Sequence, residues 1–257
     1  MTKQPENKIE LSIIIPAFNE EEVISFLLDD IKQNNFQYLE VIVADNGSID
    51  GTVNLVKNIS KNFHPLKLVN VTKKGVACAR NEGAKNANGK ILLFLDADAR
   101  INKDYIIKSI NELKKRKLDS GVHFISPIIK KNIDILAWSF VNYLLIFPSQ
   151  FIYPVSPGGG GIMVYKSLHE AIDGFNENIM HMGEDHDYAR RLSKKGKFRV
   201  MLNSKTMASM RRFDKEGRIK VWMKWFIAIP YYVLGKKMHR VPFKYEYGNH
   251  DIKKNDK

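Results

Sequence analysis

Two carboxylates one residue apart, Asp96 and Asp98, close an apolar run that reads Ile91-Leu92-Leu93-Phe94-Leu95. Such a run, bounded by Gly89 and a polar break, is the pattern of a buried parallel strand. In open α/β sheets the functional groups gather just beyond the carboxyl ends of the strands. Two carboxylates there, in a chain with a single cysteine, suit a hard divalent cation such as magnesium or manganese. These ions take one or two protein carboxylates and complete their shell with water and phosphate oxygens. The plainer alternative is a pair of ordinary solvated loop acids, and the rest of the chain decides between the two.

Other carboxylates fall at matching points. Leu11-Ser12-Ile13-Ile14-Ile15 reads as a buried strand stopped by Pro16, and Glu20 follows in Pro16-Ala17-Phe18-Asn19-Glu20. Asn19 with Glu22 has the spacing of a helix-capping box. Glu40-Val41-Ile42-Val43-Ala44 is a second strand ending in Asp45 and a turn-rich loop, Asn46-Gly47-Ser48-Ile49-Asp50-Gly51-Thr52. Leu66 to Val71 is a third, and Lys73-Lys74-Gly75 leads into a small-residue helix from Val76 to Ala87. Four strands alternating with three helices predict a mostly parallel central sheet with helices on both faces. Glu20, Asp45, Asp96 and Asp98 then meet at one edge. Ser48 and Asp50 read as turn and cap residues, whereas Asp45 at a strand end belongs to the site.

The second half is more varied. Asp104 to Lys117 is an amphipathic helix, and Val122 to Ile125 a strand. Ile133 to Tyr153 is rich in aromatic and aliphatic residues, interrupted by Asp134 and Pro148. Gly158 to Gly161 offers a backbone free of side chains, which suits a hinge or close approach to a substrate. Glu184-Asp185 opens a helix packed through Tyr188, Ala189 and Leu192, where the positive helix end favours an ionised Asp185. His181 and His186 read as supporting or surface residues, and Asp187, Arg190 and Arg191 as ion-pairing ones.

Of the 257 residues 44% are hydrophobic and 27% charged, enough for one large domain with a substantial core. The formal charge of +13 favours a polyanionic partner: nucleic acid, an anionic membrane surface or phosphorylated substrates. Cys78 alone excludes internal disulfides and a cysteine zinc site, and its small apolar neighbours read as core. Residues 1–8 are polar with no signal-peptide core after them, and no uninterrupted apolar run reaches the roughly 18–20 residues of a membrane span. The expectation is a cytoplasmic chain, either free or peripheral at the cytoplasmic face of the membrane.

The ordered pieces resemble the family 2 glycosyltransferases, inverting enzymes with the nucleotide-sugar-binding GT-A fold. Ile13 to Glu20, Val43 to Thr52 (with Asn46 where an aspartate is usual), Gly75 to Ala84, Asp96-Ala97-Asp98 and Glu184-Asp185 carry the resemblance. It implies a hexosyltransferase-type activity on a UDP- or GDP-sugar with Mg2+ or Mn2+. Pro16, Phe18, Glu20 and Asp45 would line the nucleotide pocket, Arg80 and Lys74 would face the nucleotide or its phosphates, and Asp96 would touch the ribose or position the metal. Asp98 would ligate the metal and Asp185 would act as general base, while Gly159, Gly160, Glu184 and Arg212 would stand on the acceptor side. Processive members carry Gln-x-x-Arg-Trp, where this chain reads Ser209-Met210-Arg211-Arg212-Phe213, so transfer of a single sugar is implied.

The resulting division is a GT-A domain over 9–212, with a nucleotide-sugar half at 9–100 and an acceptor half at 101–212. A basic, aromatic amphipathic helical segment at 213–247 and a polar tail at 248–257 follow. Aromatic residues beside lysines from Ile219 to Leu234, and the run Ile133 to Tyr153, suit either packing on the sheet or a place in a bilayer interface, near a lipid-linked acceptor. Competing classes are a sugar-phosphate nucleotidylyltransferase, which would need a glycine-rich, arginine-containing loop and a lysine directly after the first strand where this chain has Pro16-Ala17-Phe18-Asn19, a basic nucleic-acid-binding protein, and a catalytically silent relative. Nucleic acid is not the expected partner.

Overall fold

The computed structural model describes residues 9–128, 131–156, 161–179, 183–218, 220, 221, 223 and 224. In chain order the first half comprises β1 (Leu11–Ala17), α1 (Ile24–Gln33), β2 (Leu39–Asp45), α2 (Thr52–Ser60), β3 (Leu66–Asn70), α3 (Val76–Lys85) and β4 (Ile91–Phe94). The second half follows with α4 (Tyr105–Lys115), β5 (Ser120–Pro127), α5 (Asn132–Phe140), a π-helical turn (Val141–Ile146) and α6 (Phe147–Ile152). After these come β6 (Ile162–Tyr165), α7 (Lys166–Ala171), α8 (Glu184–Lys195), β7 (Phe198–Ala208) and α9 (Arg211–Glu216).

The seven strands form one sheet in the order β3-β2-β1-β4-β6-β5-β7. Only β6 runs antiparallel to its neighbours, β4 and β5. Because side chains alternate along a strand, Ile13 and Ile15 face a layer built by α1, α2 and α4, with Leu27, Val56 and Ile110 buried against them. Ile14 faces the other way, into a layer holding Ala84 of α3, Trp138 of α5 and Tyr188 of α8. The helices thus cover both faces.

Four local readings differ from expectation. Pro16 does not stop β1, which continues to Ala17 opposite Asp45. The carbonyl of Ile14 points to the β4 side, where it accepts from Leu95 N, and Pro16, two residues on, points the same way. By then β4 has ended, so the missing N–H of Pro16 costs no ladder bond. Asn19 is not a helix cap: its φ is 56°, and α1 begins only after Val23 without a side-chain cap. β7 was hidden by its polar stretch Asn203-Ser204-Lys205-Thr206, whose Ser204 and Thr206 turn inward to Ser109 and Tyr105.

Finally, Asp134 and Pro148 do not interrupt the aromatic run. Asn132–Ile152 is one continuous helical stretch of 21 residues, long and apolar enough to cross a membrane, the one such helix among the described residues. Asp134 is buried and met by Arg218 at 3.0 and 3.1 Å. Pro148 lies in the first turn of α6, directly after the π turn, where the regular i→i−4 ladder is already broken. The apolar segment expected from Ile219 to Leu234 and the tail at 248–257 lie almost wholly outside the described residues.

Candidate active site

The ends of β1, β2 and β4 share one edge, and their loops brace one another. Asn19 donates its backbone N–H to Ser48 Oγ at 2.9 Å, and its Oδ1 accepts from Ile49 N at 2.9 Å. Glu20 N donates to Thr52 Oγ1 at 2.8 Å. Asp45, buried at the end of β2, accepts the N–H groups of Gly47 and Ser48 at 3.1 and 3.2 Å. That is the Asx-type turn that a short carboxylate forms with the residues after it. Asn46 donates from Nδ2 to Lys73 O at 2.8 Å and accepts Gly75 N on Oδ1 at 2.7 Å. An aspartate there could accept but not donate, so the amide locks the loop before α3 on both sides. Lys74 Nζ reaches Asn46 O at 2.9 Å and stands 5.1 Å from the Phe18 ring centroid. Pro16 and Phe18, partly exposed, complete this side of the cleft.

The centre of the site is Arg80. α3 comes close to the sheet because Gly83 has no side chain: a Cβ there would meet Ile14 Cγ2 at 2.5 Å. From that position Arg80, buried over the Phe175 ring at 5.1 Å, extends its guanidinium fork toward two different elements. One nitrogen donates to Asp96 at 2.8 Å. The other donates to Asp185 at 2.7 Å and Glu184 at 3.0 Å. Gly183, at a φ of 98°, lets the chain turn abruptly into α8 so that both acids lie in its first turn.

One cation faces three carboxylates here. Burial pushes the Asp185 carboxyl well above its ordinary range, Arg80 pulls it down, and the charges of Glu184 and Asp96 push it up again. The same acids hold the Arg80 guanidinium above its usual value against its own desolvation. Rather than standing open to a ligand, Arg80 has its fork engaged with protein carboxylates.

A second cation closes the cleft. Arg211, at the start of α9, donates to Glu20 at 2.9 Å and lies 3.4 Å from Asp98. Burial, then the charge of Asp98, raises Glu20 to about 7, while Arg211 pulls it down. Arg211 escaped the sequence reading. Its only signal is the Arg211-Arg212 pair, of which the resemblance points to Arg212; the side chain of Arg212 lies outside the described residues, as do Gly159, Gly160 and His181. His186 Nδ1 accepts Ser156 N at 3.1 Å, and Asp187 pairs with Arg191 at 2.7 Å along the helix.

The donor set for a metal is oxygen only. The Asp96 and Asp98 side chains are 30% and 32% exposed. Among the described residues no three His, Cys, Asp or Glu side chains converge into a closed cage. Two partly exposed carboxylates, each also facing an arginine, fit a magnesium- or manganese-like ion whose remaining shell comes from water and phosphate, and do not fit structural zinc.

A family model described as Glycosyl transferase family 2 matches residues 12–216. The dolichyl N-acetyl-alpha-D-glucosaminyl phosphate 3-beta-D-2,3-diacetamido-2,3-dideoxy-beta-D-glucuronosyltransferase of Methanococcus voltae is 26% identical over 226 residues, covering 80% of this chain and 70% of its own. The Bacillus subtilis protein named uncharacterized glycosyltransferase YfnE is 41% identical over 101 residues, 38% of this chain, and the match spans only 26% of that relative. The Pyrobaculum calidifontis mannosyltransferase PcManGT, solved in complex with GDP-Man and Mn2+, superposes with a TM-score of 0.63 at 23% identity, over 79% of this chain and 58% of its own. It carries the same fold.

Proposed function

The chain belongs to glycosyl transferase family 2, with the GT-A fold, and we propose that it moves one sugar from a nucleotide-diphosphate sugar, with inversion, to a hydroxyl or phosphate of a lipid-linked acceptor. The observation that carries this reading is the Arg80 clamp. It ties Asp96, on the donor-side loop, to Asp185, on the helix that would face the acceptor.

In this mechanism Pro16, Phe18, Asp45 and Lys74 line the nucleotide pocket, and Glu20 sets its floor beside Arg211. Asp98, with Asp96, would hold a divalent cation, Mg2+ or Mn2+. Such an ion supplies electrostatic relief for the charge that builds on a departing diphosphate. Where the acceptor is a hydroxyl, Asp185 takes its proton as the acceptor oxygen bonds to the anomeric carbon; a phosphate oxygen attacks already ionised. The bond from that carbon to the diphosphate breaks, and the diphosphate leaves with the electron pair. Attack opposite the leaving group inverts the centre. A base works best when its pKa lies near the working pH, and burial moves Asp185 up from the ordinary carboxylate range while Arg80 pulls against that rise. Glu184, Gly159, Gly160 and Arg212 stand on the acceptor side in this reading. The name of the Methanococcus relative, with its dolichyl phosphate sugar, and the GDP-Man and Mn2+ of the mannosyltransferase support the choice of acceptor, donor and ion.

A screen of UDP- and GDP-sugars with manganese or magnesium, with and without membrane lipid extract, tests it by nucleotide release. Metal-dependent release from one donor, stimulated by lipid and lost in Asp98→Ala and Asp185→Ala, is expected. No release and no thermal stabilisation by any nucleotide with metal would reject it.

A further inference from the structure

The helical stretch Asn132–Ile152 has two opposed sides. One is fastened to the sheet by buried polar groups. Asn142 exchanges hydrogen bonds with Ile125 N and O at 3.1 and 2.6 Å, and Gln150 Oε1 accepts Val200 N at 3.1 Å. Asp134 pairs with Arg218, and Trp138 and Ile146 are buried between these contacts. The other side carries Leu136, Phe140, Tyr143, Leu144, Phe151 and Ile152, from 48% to 87% exposed. A face this large and this apolar is rare on a soluble protein without a partner.

Cations rim it. Lys205 stands 5.9 Å from the Tyr143 ring, Arg199 is 5.6 Å from Phe151, and Arg190 is 4.8 Å from Tyr153. The formal charge of the whole chain is +13. Aromatic and aliphatic groups flanked by basic side chains are the composition of a helix that lies in the plane of an anionic bilayer surface. We propose that this helix docks the protein in-plane on an anionic phospholipid bilayer, with the apolar face among the upper acyl chains and Arg199, Lys205 and Arg190 at the phosphates. Its length would permit a span, but spanning would strip Asn142, Gln150 and Asp134 from their partners and bare the backbone of β5.

The helix that carries the docking face reaches the candidate site through its buried side. Trp138 meets Phe213 of α9 at 6.2 Å, and Arg211 of the same short helix reaches Glu20 and Asp98. A lipid-linked acceptor in that bilayer would therefore present its headgroup beside the cleft. This deepens the acceptor assignment above, but vesicle binding is measured without donor or metal, so either reading can fail alone.

The test is co-sedimentation of the full chain with phosphatidylcholine vesicles with and without phosphatidylglycerol. Binding to anionic vesicles that weakens with salt is expected, reduced more than tenfold in L136E/L144E. The control I107E, an exposed site on the opposite helical layer, should bind as the parent does. Thermal melts of each variant verify that these exposed substitutions leave the fold intact. No binding of the parent, equal binding of L136E/L144E, or retention on the vesicles after an alkaline carbonate wash would overturn the in-plane placement. A dimer that forms without vesicle binding and disperses in L136E/L144E would assign the face to a second copy and overturn it equally.

Discussion

Replacing Arg80 with methionine tests the clamp most directly. The substitution keeps a long flexible side chain against Phe175 but removes the cation shared by Asp96, Glu184 and Asp185. Removing one partner of a buried ion pair costs about 3–5 kcal/mol, because the other is left buried without compensation. For a chain of this size that is a fall in melting temperature of roughly 10 °C. The loss has a pH signature. Asp185 already has its folded-state pKa above the unfolded value, and without Arg80 that gap widens. A carboxyl with a raised folded pKa binds a proton preferentially in the folded state. Its penalty is absent below the unfolded pKa and grows as pH rises toward the folded one. Arg80→Met should therefore lose least near pH 5 and most near pH 8. Arg80→Lys, which keeps the charge but not the fork, should recover part of the stability. Urea unfolding followed by circular dichroism at pH 5, 6.5 and 8 measures all three. A loss below about 1 kcal/mol, or one that is the same at pH 5 and pH 8, would refute the clamp as the organising contact.

Three further outcomes follow from the geometry. His123, held between Ser109 Oγ and Gly161 O, and His169, on Tyr188 OH, are buried with pKa values lowered to about 4. Both should be neutral when folded, so stability is complete above about pH 6.5 and falls toward pH 4 by up to ~1.4 kcal/mol per histidine per pH unit. Urea midpoints between pH 7 and 4.5 should fall more steeply in the parent than in His123→Gln. Asn142→Leu removes both side-chain bonds to Ile125 and should cost about 2–4 kcal/mol in the same assay. Asp98→Asn should leave the melt within about 1 kcal/mol, since its contact with Arg211 is partly solvated. Its metal-dependent donor cleavage should drop by about two orders of magnitude or more, read as nucleotide release across a manganese titration.

The sequence by itself determined the mostly parallel sheet and which acids crown it. Runs such as Ile13-Ile14-Ile15 and Val41-Ile42-Val43 can be satisfied only by burial on both faces, and Glu20, Asp45, Asp96 and Asp98 stand where those runs stop. The family, too, was legible, because its pieces are short and contiguous. The contacts that organise the cleft were not. The partners of Arg80 lie 16, 104 and 105 residues away, and Arg211 meets Glu20 across 191. Nothing local distinguishes an arginine aimed at three carboxylates from one aimed at solvent. β7 and the helix over Asn132–Ile152 were obscured for a related reason: Thr206, Asp134 and Asn142 look like breaks in an apolar pattern until their buried partners are known. Short-range periodicity reports which side of an element wants to leave water. Only the packed order of the strands and helices decides which polar groups that burial brings face to face, and so which charges must be shared.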